Sequence, residues 1–168
     1  LIDMITVWFS LTDTPVEAGP LKVVPGSHKG DLLTHCDNYE GNGDGFQKAR
    51  QIPTKLFPHE EGIPLPIKRG SAIFMHKRTV HSSLPNISNR MRWSFDLRYN
   101  PTGQNTGRTM FPGFVARSRN NPESELKDPN VWKNMWLECR EKMSKINQEG
   151  SDDVKFSRWS DGHPDCET

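Results

Sequence analysis

The apolar runs in this chain are short, and each is soon closed by glycine or proline, which leaves room for strands and little for long helices. Ile5-Thr6-Val7-Trp8-Phe9-Ser10-Leu11 is rich in β-branched and aromatic residues and reads as a strand. Residues 13–19 carry Pro15 and Gly19 and read as a turn. Leu21-Lys22-Val23-Val24 is a second strand, stopped by Pro25-Gly26. Strands resume over 65–68, over 71–75 after the Arg69-Gly70 turn, and over 80–83. The polar turn Asn86-Ile87-Ser88-Asn89 leads into the clearest strand, 92–99. Many short strands joined by such turns predict an all-β domain, whether sandwich, barrel or jelly roll.

Two stretches break the pattern. Residues 30–62 hold Gly41-Asn42-Gly43-Asp44-Gly45 and little periodicity, so they read as a long loop and a candidate substrate lid. After Tyr99 the chain turns polar until Asp128-Pro129, an N-cap followed by proline at the first helical position. Trp132, Trp136, Cys139, Met143 and Ile146 then recur at helical spacing, which predicts an amphipathic helix packed on the outside of the β domain. The remainder reads as an irregular tail anchored by Trp159.

Charge narrows the functional classes. With 22 basic and 21 acidic residues the net charge is +1, so no electrostatic footprint for nucleic acid or an anionic membrane surface appears. No apolar run is long enough to cross a bilayer. The three cysteines, Cys36, Cys139 and Cys166, are odd in number and lack CxxC spacing. The expectation is therefore no disulfide framework, no structural zinc and a reducing compartment, with the cytoplasm as default. The first residue is Leu1, and no signal peptide is visible.

The chemistry concentrates in residues 70–99. His81 ends a strand; Arg92 opens the next, with Ser94 two residues on, where alternation puts both side chains on one face. Arginine grips a carboxylate through two parallel hydrogen bonds, and a hydroxyl adds one more. A neutral imidazole nearby can hold iron(II). A metal ligand and a carboxylate clamp on adjacent strands suit a 2-oxo acid. Competing roles are visible: Arg92 could pair with Asp96 as a structural bridge, and Arg90 and Arg98 are alternative cations. His28 reads as a turn-capping residue and His76 as a rim residue. His35-Cys36-Asp37 and His163-Pro164-Asp165 have the spacing of a ligand pair.

Gly19-Pro20-Leu21-Lys22-Val23-Val24-Pro25-Gly26-Ser27-His28-Lys29 resembles a signature of the phytanoyl-CoA dioxygenase superfamily. Gly70-Ser71-Ala72-Ile73-Phe74-Met75 through His81-Ser82-Ser83 is similar to its second signature. The interval from His81 to Arg92 matches, and Trp8 stands at the family's cosubstrate-pocket tryptophan. The resemblance covers about residues 3–99, and the segment from Phe111-Pro112-Gly113-Phe114 to Trp159 is similar to one uncharacterised branch.

That resemblance implies a double-stranded β-helix, the jelly-roll or cupin-like architecture. Residues 1–127 would be its C-terminal part, and 128–168 a helix and tail on the same domain. It implies iron(II), 2-oxoglutarate and dioxygen, with a small organic molecule as substrate. His81 would be the iron ligand and catalytic residue, Arg92 with Ser94 the cosubstrate clamp, and Trp8 the wall of its pocket. In the family a His-x-Asp precedes the segment matching Trp8. Leu1 lies too close to Trp8 to include it, and both His-x-Asp pairs present here come too late in the order. The expectation is an N-terminally incomplete domain, inactive by itself and poorly stable. A halogenase of the same family and a non-catalytic jelly-roll binding module or degenerate paralogue are the rival readings.

Overall fold

The structure, a computed structural model, describes residues 3–37, 50–57, 59–104, 106, 110–148 and 163–166. Trp159 and the glycine run at 41–45 lie outside them. The chain divides into two compact units, one of Ile5–Tyr99 with Ser157–Thr168, the other of Leu1–Met4 with Asn100–Phe156.

The first unit is antiparallel β structure. Strand β1 (Ile5–Ser10) is the middle of one sheet, between β6 (Ala72–His76) and β8 (Ser94–Tyr99). Strand β2 (Leu21–Val23) is the middle of a second, between β5 (Ile63–Leu65) and β7 (His81–Ser83). Alternation along β1 sends Thr6, Trp8 and Ser10 to one side, at 7%, 4% and 0% exposure. Trp8 and Met75 of the first sheet bury against Leu21 of the second, with Val23, Ile67 and Ile73 packed around them. Covering such large apolar side chains contributes about 1.5–3 kcal/mol each, so this cluster holds the two sheets face to face. The opposite side of the first sheet carries Phe74, Phe95, Leu97 and Tyr99, all exposed.

Three elements differ from the sequence expectation. The strand expected over 65–68 is β5, two residues earlier in its start, followed by an isolated bridge between Thr14 and Ile67. Pro66 has no N–H to continue the ladder, and Ile67 exchanges both backbone bonds with Thr14 instead. The 30–62 loop is not wholly irregular: β3 (Cys36–Asp37) pairs with β4 (Arg50–Gln51). Finally, Cys36 and Cys166 form a disulfide across 130 residues, which overturns the expectation of unpaired cysteines and removes the premise for a reducing compartment. An odd count excludes full pairing, not one pair, and sequence distance says nothing about which two cysteines meet.

In the second unit, α1 (Pro129–Gln148) begins as expected, with the Asp128 carboxylate accepting from the Asn130 N–H at 2.8 Å. Its apolar face packs within its own unit. Trp132 meets Phe114 at 4.8 Å and Trp136 at 5.7 Å between ring centroids, and Trp136 meets Phe111 at 5.6 Å. The Cys139 thiol donates to the Met110 carbonyl, and Met143 is buried.

One glycine is essential to the first unit. Gly19 has φ +72°, and a Cβ there would lie 2.6 Å from the Leu84 carbonyl oxygen. The turn it closes binds the segment after β7: the Leu84 N–H donates to Pro20, and those of Ile87 and Ser88 to the Glu17 carbonyl. Gly19→Ala is expected to destabilise the chain by about 1–3 kcal/mol from the left-handed backbone alone, more with the clash, read as a lowered urea midpoint. Thiol titration of the denatured, unreduced chain should find Cys139 alone, and after reduction all 3 cysteines.

Candidate functional site

The inner face of the first sheet carries the candidate residues. Ser94 lies opposite Ser10, and Asp96 opposite Trp8, so Trp8, Ser10 and Ser94 share the face that looks toward the second sheet. Arg92 lies just before β8 rather than inside it. Its guanidinium is 5.4 Å from the Trp8 ring centroid, and its Nη1 donates to the Ser94 Oγ at 3.4 Å. Sequence alternation alone thus placed Arg92 and Ser94 together, and the structure adds the indole beneath the cation.

The rival partner for Arg92 is taken. The Asp96 carboxylate accepts from the Arg98 Nη2 at 3.3 Å. Arg92 is half-buried and has no carboxylate partner among the described residues. A cation withdrawn from water without an acid is costly, and the aromatic face and one hydroxyl offset only part of that cost. Arg90 is exposed, in the turn before Arg92, where its carbonyl accepts from the Asn86 side chain at 2.8 Å.

His81 comes from the other sheet. It is paired with Val23, which packs on the Trp8 cluster, so His81 shares the face turned toward the first sheet. Its Nδ1 lies 2.8 Å from the Thr79 carbonyl. A carbonyl only accepts, so Nδ1 carries the hydrogen and the lone pair of the neutral ring sits on Nε2. A histidine prepared for a metal has this arrangement, with the second nitrogen fixed by a backbone acceptor. The ring is exposed.

The other histidines are placed elsewhere. His28 stacks edge-on against His76 at 5.9 Å between centroids, and the His76 Nδ1 accepts from the Arg78 N–H. The two His-x-Asp sequences are brought close together by the Cys36–Cys166 disulfide: Thr34 donates to Asp165 at 2.9 Å, and His163 lies 3.4 Å from the same carboxylate. Even so, no group of three His, Cys, Asp or Glu side chains suited to a metal occurs among the described residues. Sequence reading missed a buried hydroxyl pair beside Ser94, Ser10 and Thr14, both at 0% exposure. Its only signal was three hydroxyl residues at alternate positions, Ser10, Thr12 and Thr14.

A separate open cavity of about 1090 Å³ is lined by the 11–15 turn together with Ile67, Lys68, Arg69, Arg90 and Met91. None of Trp8, His81, Arg92 or Ser94 lines it.

The family model described as phytanoyl-CoA dioxygenase (PhyH) matches residues 1–94. A phytanoyl-CoA dioxygenase of Arabidopsis thaliana is 29% identical over 91 residues, covering 54% of this chain and 30% of that protein. The phytanoyl-CoA dioxygenase domain-containing protein 1 of Danio rerio is 33% identical over 91 residues, covering 51% and 29%. The chain spans about a third of the length of the curated relatives it matches. Among solved structures, EvdO2 from Micromonospora carbonacea var. aurantiaca complexed with 2-oxoglutarate superposes with a TM-score of 0.50 at 25% identity, covering 60% of this chain and 39% of that one.

An arginine without an acid partner among the described residues should not be a stabilising element. Arg92→Met is expected to leave the unfolding free energy unchanged or raised by up to about 1 kcal/mol, because the desolvation cost goes with the charge. A loss above about 2 kcal/mol in urea denaturation would make Arg92 a structural residue instead.

Proposed function

This chain belongs to the phytanoyl-CoA dioxygenase family, and from that premise we propose that it forms the cosubstrate-binding part of an iron(II)- and 2-oxoglutarate-dependent oxygenase. In this reading its two packed sheets are part of a double-stranded β-helix. The observation that carries the proposal is the half-buried Arg92 guanidinium, set on Trp8 and beside the Ser94 hydroxyl, with no acid to neutralise it among the described residues. In this reading the partner it lacks among the described residues is an anion from outside the chain, and the distal carboxylate of 2-oxoglutarate fits its planar fork. A structural neighbour solved with 2-oxoglutarate supports the same cosubstrate class.

The residues divide the work as follows. Arg92 receives the carboxylate through two N–H donors, and Ser94, freed from its long bond to Arg92, adds a third. Trp8, buried at 4% exposure, would support the guanidinium from one side and limit water there. His81 offers Nε2 as one ligand for iron(II), its ring held by the Thr79 carbonyl. Iron(II) with 2-oxoglutarate and dioxygen would supply the oxidising chemistry, for which the protein provides binding, orientation and exclusion of water. No His-x-Asp precedes Trp8 in these 168 residues, so turnover in this reading needs ligands from outside them. A small organic molecule, hydroxylated or otherwise oxidised, is the proposed substrate. The 30–62 segment is proposed as its lid.

Calorimetric titration of the chain with 2-oxoglutarate should give saturable binding. Arg92→Ala should weaken it about 10- to 100-fold, the equivalent of losing a charge-assisted hydrogen-bonding pair. Arg92→Lys should recover only part, since a point charge replaces the fork. Absence of binding at millimolar ligand would remove the clamp from the account. For a longer polypeptide that includes this chain, iron(II)-dependent release of succinate is the decisive assay. Binding without succinate release would identify a binding module rather than an oxygenase.

A further inference from the structure

The ladder between β1 and β8 ends at the Ser10–Ser94 pair, so Arg92 and Trp93 lie beyond its last rung. A side chain hung on unpaired backbone would fray with the strand end. Another set of bonds takes over here. The Leu11 N–H donates to the Trp93 carbonyl at 2.9 Å, and the Trp93 N–H donates to the Thr12 Oγ1 at 3.3 Å. Both backbone polar groups of the residue between Arg92 and Ser94 are therefore held by the 11–12 turn.

That turn is itself shaped by buried hydroxyls. Ser10 Oγ donates to the Thr12 carbonyl at 2.7 Å and lies 2.8 Å from Thr14 Oγ1, which reaches the same carbonyl at 3.1 Å. Both hydroxyls are satisfied at 0% exposure, so the geometry that aims Thr12 at Trp93 is fixed from beneath. The far side of the turn is tied as well, by Thr14 exchanging bonds with Ile67 and by the Gly70 N–H donating to the Ser10 carbonyl.

We propose that Thr12 is a positioning residue for the Arg92–Ser94 pair: its hydroxyl, set by Ser10 and Thr14, holds the Trp93 backbone from which the guanidinium and the Ser94 hydroxyl project. The inference rests on the reading of that pair as an anion clamp, and it assigns the hydroxyl-rich turn the task of keeping the two donors at one spacing. Valine at position 12 keeps the branched shape and removes the acceptor. The Trp93 N–H is exposed enough to turn to water, so stability changes little while precision is lost. Small displacements of binding groups have large effects, which separates this role from a merely structural one.

The experiment uses the 168-residue chain, with Thr12→Val and Thr12→Ser compared by amide hydrogen exchange at Trp93, exchange of the Arg92 Nε–H, 2-oxoglutarate titration and thermal unfolding. Thr12→Val should speed exchange at both sites by about tenfold and weaken 2-oxoglutarate binding by about tenfold, with an unfolding midpoint close to that of the parent chain. Thr12→Ser should restore both. Unchanged exchange in Thr12→Val overturns the proposal, as does faster exchange with undiminished affinity. A serine variant as impaired as valine would also overturn it, since the hydroxyl would not be the agent. If the parent chain fails to bind 2-oxoglutarate, the clamp reading falls. The exchange rates then still decide the hold of Thr12 by themselves, faster exchange upholding it and unchanged exchange overturning it.

Discussion

A slip of β1 by one residue against its neighbours would turn Trp8 and Ser10 away from the second sheet and bring Val7 and Phe9 in their place. The register of this one strand therefore fixes both the core and the candidate site. Trp8 has two partners at once: its buried body fills the space against Leu21 and Met75, and its ring supports the Arg92 guanidinium. Packing and recognition share one side chain, which explains why the strand tolerates polar Thr6 and Ser10 on its buried face. Ser10, opposite Ser94, lies where the inner face passes from apolar core to the polar pair.

Electrostatics at that face follow from how the charges are paired. Arg98 and Asp96 neutralise one another on the exposed part of β8, and exposed pairs of this kind add little stability. Arg92, two positions before Ser94, has an aromatic ring and a hydroxyl where Arg98 has an acid. The difference is local to β8: Asp96 and Arg98 are two residues apart, on the same side of the strand, and bond to each other. A half-buried cation with no acid partner among the described residues favours an incoming anion. The same face receives His81 from the second sheet, with its free nitrogen defined by the Thr79 carbonyl. In the function proposed above, one sheet would offer the anion clamp and the other the imidazole.

Much of this was readable beforehand because it depends on periodicity or punctuation. Alternation in residues 5–11 announced β1; Asp128-Pro129 and the Trp132 to Ile146 spacing announced α1; Arg92-x-Ser94 announced the paired donors. The strand ends were less readable, since Pro66 diverts the ladder to a bridge with Thr14, and β8 begins at Ser94 only because its partner strand ends at Ser10. The β3–β4 pair gave no pattern at all, being two residues on each side. The hydroxyls at Ser10, Thr12 and Thr14 look in sequence like ordinary turn chemistry; that Ser10 and Thr14 converge on the Thr12 carbonyl while the Thr12 hydroxyl accepts from the Trp93 N–H appears only when the turn is folded.

The sequence by itself determined the β-rich class, the family signatures and the identity of the chemical groups, because side-chain type and local spacing act over a few residues. Tertiary structure decided which groups meet. It joined Cys36 to Cys166 and set Trp8 under the Arg92 guanidinium. Those outcomes depend on contacts between residues far apart in the chain, whose geometry is fixed only when both sheets have closed on their shared core, and no local pattern encodes that closure.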